Sequence, residues 1–469
     1  MGEISYLRVL LLVPDNGSFI HVFPMGTAYI ASSLRAKGHE VVIWSQDQYH
    51  YPDSDLTSYL DQNCFDIVGL GIQGGYYQYK KLLSISDAIN NARKRPLYIL
   101  GGHCASPEPE YFLRKTNADI VVIGEGEETI VDLTSALSSG APLSAVKGIA
   151  YMRNGKCTIT NKREPIKDLE TISYPAWDLF DMNYYSLIRL PRVEPVDRAG
   201  FVLSGRGCQF SGCNFCYQPD KTYRPRTPGA IIEEIQILKK DYCITFIDFL
   251  DELLMASPER TTDLCEAFRK AKLDIRWSCN GRLNFARPDI LRLMKESGCV
   301  FINYGIESLD NEMLRVMGKR LTVEQITKGV EATLAEGISP GLNIIWGNIS
   351  ETKEILWKGV EFLDKYDDHE QLRTIRPVTP YPGSELYYYA IEHGLLKDVE
   401  DFYENKLLNS DLLSVNFTNL TDEDFHKTLY EANKYLLMRY YDSKLMKSLD
   451  EADDLYLNKN ANFRGFRQT

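Results

Sequence analysis

The chain has 469 residues, 44% hydrophobic and 25% charged, with 11% aromatics and a net charge of -12, which excludes a disordered chain and gives room for two or three domains and an enclosed cofactor. The acidic balance argues against nucleic acid, whose affinity rests largely on lysine and arginine meeting phosphates. Near the N-terminus the run LRVLLLV is too short to span a bilayer and has no small-residue cleavage site beside it, so no membrane is expected and the cytoplasm is the expected location; ten cysteines without regular spacing fit a reducing compartment.

From Leu7 to about residue 137, apolar runs alternate with helical patterns: LRVLLLV, GTAYIASSLRAKG, EVVIW, DLTSYLDQN, DIVGLGI, KLLSISDAINNAR, LYILGG, PEYFLRKT, DIVVIG and EETIVDLTSAL. Five strand-like runs, each followed by a helix, predict a doubly wound parallel α/β domain over 1–140. Its ligands belong at the carboxyl ends of the strands, where Gly71, Gly74 and Gly75, then Gly101 and Gly102, then Gly124 and Gly126 collect. None completes GxGxxG after the first strand, so a dinucleotide is not expected, and tight turns alone also explain glycines.

Residues 141–197 lose this rhythm, with KREPIKDL, YPAWDLFDMNYY and RLPRVEPVDR broken by prolines and charges. They predict a linker, docked through Pro175 and Trp177 rather than loose. Over 198–384 a second alternation begins, with strand-like FVLSGRG, ITFIDFL, IRWSCN, VFINYGI, GLNIIWG and LRTIRPV separated by helical patterns. Six such units fit a parallel α/β barrel or partial barrel with its active site at the strand ends. Residues 385–469 read as a helical, charged region in which EDFHKTLYEANKYLLMRYY is one amphipathic segment and NKNANFRGFRQT a tail.

Just past the first barrel strand stands SGRGCQFSGCNFCYQ, with Cys208, Cys213 and Cys216. Three thiolates without a fourth suit three irons of a [4Fe-4S] cluster and leave the last iron open. Structural zinc needs four closed ligands, and no paired CxxC or HxxxH lies nearby to complete them. Zinc and inert thiols remain the alternatives on spacing alone. Polar residues gather at the following strand ends: Asp248, Asp251 and Glu252, then Asn280 and Arg282, then Asn303, Glu307 and Ser308, then Gly347 and Asn348, then Arg376.

SGRGCQFSGCNFCYQ resembles the cluster motif of the radical S-adenosylmethionine (SAM) enzymes. The blocks PMGTAYIASSLRAKGHEV, LGGHCASPEPEYF, DIVVIGEGEETI, WSCNGRLN, YGIESLDNEML and TPYPGSELY resemble their cobalamin-dependent class, related to the anaerobic magnesium-protoporphyrin monomethyl ester cyclase group. The resemblance implies a Rossmann-like cobalamin-binding domain, a (β/α)6 partial barrel and a helical C-terminal region. It implies that Cys208, Cys213 and Cys216 hold a [4Fe-4S] cluster whose open iron SAM chelates, with Phe215 near adenine. Asp251 and Glu252 then accept from the SAM ammonium, Glu307 holds the ribose, and Asn280, Arg282, Gly347, Asn348 and Arg376 supply further contacts. The family spacing is CxxxCxxC, and Ser211–Gly212 extend it here to CxxxxCxxC, which a small bulge beside glycine accommodates.

Cobalamin contacts by the same resemblance are Met25 and Gly26, Gln73, Gly74 and Gly75, Gly101 and Gly102, and Gly124, Glu125 and Gly126. The DxHxxG motif that supplies a histidine to cobalt elsewhere is absent; SQDQYHYPD holds His50 without the aspartate or the glycine in place. The expected activity is SAM cleavage to a 5'-deoxyadenosyl radical, with methylation of an unactivated carbon of a small-molecule substrate. Cyclisation, ring rearrangement or deoxygenation without methyl transfer is the alternative enzyme, and a cobalamin- or redox-sensing module the alternative of another class. The expected partners are that substrate and a flavodoxin- or ferredoxin-type electron donor, with the chain a monomer and no residue named as acid or base.

Overall fold

The computed structural model describes residues 6–15, 17 and 22–460. Seven strands form the first sheet: β1 (Arg8–Val13), β2 (Glu40–Ser45), β3 (Ile67–Gly71), β4 (Leu97–Gly101), β5 (Ile120–Val122), β6 (Ile149–Arg153) and β7 (Lys156–Ile159). Their order is β2-β1-β3-β4-β5-β6-β7, and the first five run parallel. Because successive side chains alternate faces, Leu10 and Leu12 pack into one core and Val9 and Leu11 into another. That explains the unbroken apolar run of β1, which is covered on both sides. Helices Asp53–Gln62, Tyr76–Asn90 and Pro109–Thr116 share one face, and Met25–Arg35 and Glu127–Ser139 the other.

The segment expected as a linker is not one throughout. Residues 149–159 form a hairpin that adds two antiparallel strands beyond β5. Its turn carries Asn154 (φ 51°) and Gly155 (φ 76°), the left-handed pair that a two-residue hairpin turn demands. The remainder is docked as expected, with Trp177 buried and its ring 4.5 Å from that of Phe23.

The second sheet joins β8 (Ala199–Val202), β11 (Phe246–Phe249), β12 (Arg276–Gly281), β13 (Cys299–Glu307), β14 (Ser339–Trp346) and β15 (Arg376–Pro377) in that order, all parallel. Between β8 and β11 a short antiparallel pair intervenes, β9 (Gly205–Arg206) with β10 (Arg224–Pro225). The covering helices start on clear signals: Thr227 and Ser257 accept from backbone N–H groups ahead of Pro228 and Pro258, and Thr322 with Gln325 makes a capping box. This is the six-stranded partial barrel read from the alternation.

The last helix, Asp422–Tyr456, runs well past the amphipathic segment expected there. Phe425, Leu429, Ala432 and Leu436 are buried, and Phe425 stacks 4.1 Å from Trp346 of β14. Beyond them Met438, Tyr441, Leu445 and Leu449 are exposed, and the helix continues because no breaker occurs before Asn458. Part of the expected tail, residues 461–469, lies outside the described residues. No helix among the described residues is long and apolar enough to cross a membrane.

Candidate active site at the mouth of the partial barrel

All three cysteines of the motif sit on one excursion of chain between β9 and β10. Gly207 opens it at φ 85°, where a Cβ would lie 1.9 Å from the carbonyl oxygen of Thr222, so only glycine closes this neck. The added residue is taken up in a tight turn: Ser211 N–H donates to the Cys208 carbonyl at 3.2 Å and Gly212 N–H to that of Phe210 at 2.5 Å. The Gly212 carbonyl then seats on Gly318, whose Cβ, if present, would lie 2.0 Å away.

The second arm, from Cys213 to Cys216, hangs on Asn214. Its backbone N–H donates to the Met317 carbonyl at 3.0 Å, and its carbonyl accepts from Leu386 N–H at 2.8 Å. Its side chain exchanges amide hydrogen bonds with Asn348 at 3.1 and 3.0 Å, and Asn348 is fully buried. The Asn348 side-chain amide is committed to the cysteine loop, which leaves the expected approach of its backbone to adenine as it was. Glu351 accepts from the N–H groups of Gly347 and Asn348 at 2.8 and 3.1 Å, and burial pushes its carboxyl up to about 8. Phe215 is half-buried against the core below.

The acids at the end of β11 separate into two kinds. Asp251 is fully buried, and both of its carboxylate oxygens are taken by Ser204, from N–H at 2.8 Å and from Oγ at 2.7 Å. Burial pushes it up to about 7. It ties β8 to β11 through Ser204. Glu252 is exposed and accepts from Gly207 N–H at 3.2 Å, so it faces the cysteine loop. Asp248, half-buried, accepts from Ser278 Oγ at 2.5 Å, and desolvation pushes it up to about 6.

Across the next strands a row of asparagines forms. Asn280 Nδ2 donates to the Asp251 carbonyl at 2.7 Å, Asn303 Nδ2 to Asn280 Oδ1 at 3.0 Å, and Asn343 Nδ2 to Asn303 Oδ1 at 2.7 Å. Exposure rises along it to Asn343, which is open. Glu307, at φ 69°, pairs with Lys319 Nζ at 2.9 Å. Arg282 is buried over the Phe210 ring at 4.0 Å and donates to the carbonyls of Lys319 and Arg320. It is thereby a brace of the cysteine loop, held, among the described residues, through Nη2 alone. Arg376 is 62% exposed and pairs with Asp411 at 2.8 Å, so it stands at the rim.

In the first domain, Met25 is buried in the core with Phe23 and Trp177, and a Cβ on Gly126 would lie 2.7 Å from Ile30; both face helix packing rather than an opening. Gly26, Gly71, Gly74 and Gly124 have open space where a Cβ would stand, and the N–H groups of Gln73 and Gly74 are held by Gln78 Oε1 at 3.2 and 2.9 Å, with Gly75 next in the chain. Gly101 ends β4 beside Val122, and at Gly102 (φ 98°) a Cβ would lie 2.3 Å from the Ile72 carbonyl oxygen. Glu125 is not free for a ligand. Burial would raise its carboxyl, but Arg224 and Arg206 outweigh that and hold it below the usual range, with Arg224 at 2.8 Å and Arg206 at 3.2 Å. Sequence reasoning passed over Lys319, and also over Asn214, Arg206 and Arg224, which act through partners far off in the chain.

Residues 202–363 match the Radical SAM superfamily and residues 20–134 the B12 binding domain. An uncharacterised methyltransferase of Pyrococcus horikoshii is 32% identical over 84% of this chain and 85% of its own. The anaerobic magnesium-protoporphyrin IX monomethyl ester cyclase of Rubrivivax gelatinosus is 28% identical over 81% of this chain and 68% of its own. Among solved structures, the cobalamin-dependent SAM radical enzyme OxsB, with aqua-cobalamin and SAM bound, superposes with a TM-score of 0.67 at 21% identity, over 83% of this chain and 56% of that one. TsrM, a radical SAM methyltransferase from Kitasatospora setae, does so at 0.67 and 16%, over 83% and 75%. The chain belongs to the cobalamin-dependent radical SAM enzymes. Its cofactors are a [4Fe-4S] cluster, SAM and cobalamin.

The donors present fit those groups. No three His, Cys, Asp or Glu side chains among the described residues converge as a single metal ion requires, whereas a four-iron cluster spreads its thiolates over separate irons. Burial, then the neighbouring Cys213 and Cys208, push the Cys216 thiol up to about 11, a charge conflict that metal coordination relieves. The open glycine backbone at the ends of β3 and β5 suits a broad flat ligand, since no Cβ holds it off.

Proposed function

We propose that this enzyme is a C-methyltransferase acting on an unactivated carbon of a small molecule. The observation that carries the reading is the 32% identity to a methyltransferase over most of both chains. When bound, the cofactors supply reductive cleavage of SAM to a 5'-deoxyadenosyl radical, hydrogen abstraction from the substrate and delivery of a methyl group.

In this reading Cys208, Cys213 and Cys216 ligate the cluster, and Asn214, Asn348 and Arg282 hold their loop in place. Glu252, exposed and beside that loop, accepts from the SAM ammonium; Asp251 supports it from behind by fixing β8 to β11. Glu307 presents a carboxylate to the ribose diol, oriented by Lys319. Asn280, Asn303 and Asn343 offer amides that grade from half-buried to open, a polar track on which the amino acid end of SAM and the substrate are oriented. In the first domain the backbone at Gly74, Gly75, Gly102 and Gly124 borders the macrocycle.

The 28% identity to a cyclase supports a second reading, ring closure without methyl transfer. Reduced, reconstituted protein incubated with methyl-deuterated SAM and a small-molecule extract separates the two. Methyl transfer requires S-adenosylhomocysteine and 5'-deoxyadenosine in comparable amounts together with a deuterated product; 5'-deoxyadenosine without S-adenosylhomocysteine rejects it and favours cyclisation.

A further inference from the structure

Arg206 and Arg224 stand directly opposite one another in the two-residue ladder of β9 and β10, and this ladder is the neck through which the cysteine excursion leaves and re-enters the barrel. Like charges directly opposite on paired strands repel. Both side chains are mostly buried, so solvent does little to screen them. Two of the three compensating acids come from the other domain. Glu125, in the loop after β5, bridges the pair, with Oε1 at 2.8 Å from Arg224 and 3.2 Å from Arg206. Glu127 adds a contact to Arg206 at 2.5 Å and Asp220 one to Arg224 at 2.7 Å. The second oxygen of Glu125 accepts from Ile166 N–H at 2.7 Å, so the carboxylate is fixed from three sides. Of these acids, Glu125 alone touches both arginines.

We infer that Glu125 is a positioning residue for the iron-sulfur cluster: a carboxylate of the B12 domain that bridges Arg206 and Arg224, each of which also has an acid of its own, and so keeps closed the neck of the loop bearing Cys208, Cys213 and Cys216. The inference rests on the reading of those cysteines as cluster ligands. It makes cluster retention in one domain depend on an acid in the other, and it takes Glu125 out of the set of cobalamin contacts.

The test uses the full chain, reconstituted with iron, sulfide and cobalamin, as wild type, E125Q, E125Q/R224Q and C213A. The readouts are the rate of iron loss to a chelator, the electron paramagnetic resonance spectrum of the reduced cluster before and after SAM, and bound cobalamin per chain. E125Q keeps the shape of the side chain and removes its charge; it is expected to lose iron about tenfold faster, as befits loss of charge-assisted hydrogen bonds, with cobalamin unchanged. E125Q/R224Q removes the repulsion as well and is expected to recover roughly half or more of the retention, because the two sites are coupled. Wild-type iron retention in E125Q, loss of cobalamin with the cluster kept, or no recovery in the double variant overturns the inference. C213A separates it from its basis. An intact cluster in C213A rejects the ligand reading and the inference together, whereas loss in C213A with normal retention in E125Q rejects the inference alone.

Discussion

The cysteine loop and the strand-end face of the B12 domain are built by opposite means. The loop is tied by side chains: Asn214 to Asn348, Phe210 under Arg282, and Arg206 and Arg224 to Glu125. The strand ends of the first domain are defined by missing side chains, at Gly71, Gly74 and Gly124. On the proposed assignment, a cluster held through three thiolates needs a loop that cannot shift, while a broad macrocycle needs backbone it can approach. One chain meets both needs, and damage to the two regions should therefore read out differently.

The largest contrast is expected from C216S. It should abolish the cluster and with it all 5'-deoxyadenosine formation, while the visible spectrum still reports one cobalamin per chain. Retention of a SAM-cleaving cluster would refute the ligand set.

Asp251 gives a pH signature confined to the barrel. Its folded value of about 7 lies above the unfolded 3.8, so its contribution to stability is complete below about pH 4 and is lost as pH rises towards 7. Asp251→Asn cannot ionise, and it can still accept from Ser204 N–H. It should be more stable than wild type at pH 8, by up to ~4 kcal/mol if nothing relaxes, and nearly equal near pH 4. Urea melts at both pH values check this, and a wild type favoured at pH 8 would contradict the buried placement.

G102A strikes the other region. A methyl group 2.3 Å from the Ile72 carbonyl oxygen forces β3 and β4 apart, at about 3 kcal/mol, and should weaken cobalamin binding before it affects iron content. N348A leaves Asn214 Oδ1 without its donor, while Nδ2 keeps the Val316 carbonyl; it costs about 1–3 kcal/mol, and should raise the rate of iron loss with cobalamin unchanged. Equal loss of both cofactors in either variant would blur the comparison. R376A, at an exposed ion pair, should change stability by only about 0–0.5 kcal/mol, and a large loss of SAM cleavage would restore Arg376 to the site.

The architecture was legible because alternation is a local property: an apolar run buried on both faces and an amphipathic helix each announce themselves within about fifteen residues. The segment that carries the three cysteines stands out for the same reason, its spacing being local. The hairpin over 149–159 was signalled too, by Asn154–Gly155 between alternating residues, but the prolines and charges that follow hid it. What stayed illegible is pairing across distance. Asn214 and Asn348 lie 134 positions apart, and Glu125 and Arg224 lie 99 apart. Nothing near Glu125 in the chain distinguishes a carboxylate aimed at a ligand from one aimed at an arginine of the next domain. Asp251 and Glu252 are neighbours in sequence, yet backbone direction at the end of β11 sends one into the core and the other to the opening.

The neck between β9 and β10 also bears on how the protein is made. The last strand of the first sheet ends at Ile159, 47 residues before Arg206 (206 − 159), which at about 5–20 residues per second is roughly 2–9 s of synthesis. The first domain therefore has time to fold and to present its acid before the two arginines leave the ribosome. Order of translation thus supplies a template: the docking point is finished before the piece that docks, and the cysteines emerge into a loop whose base is ready to be closed.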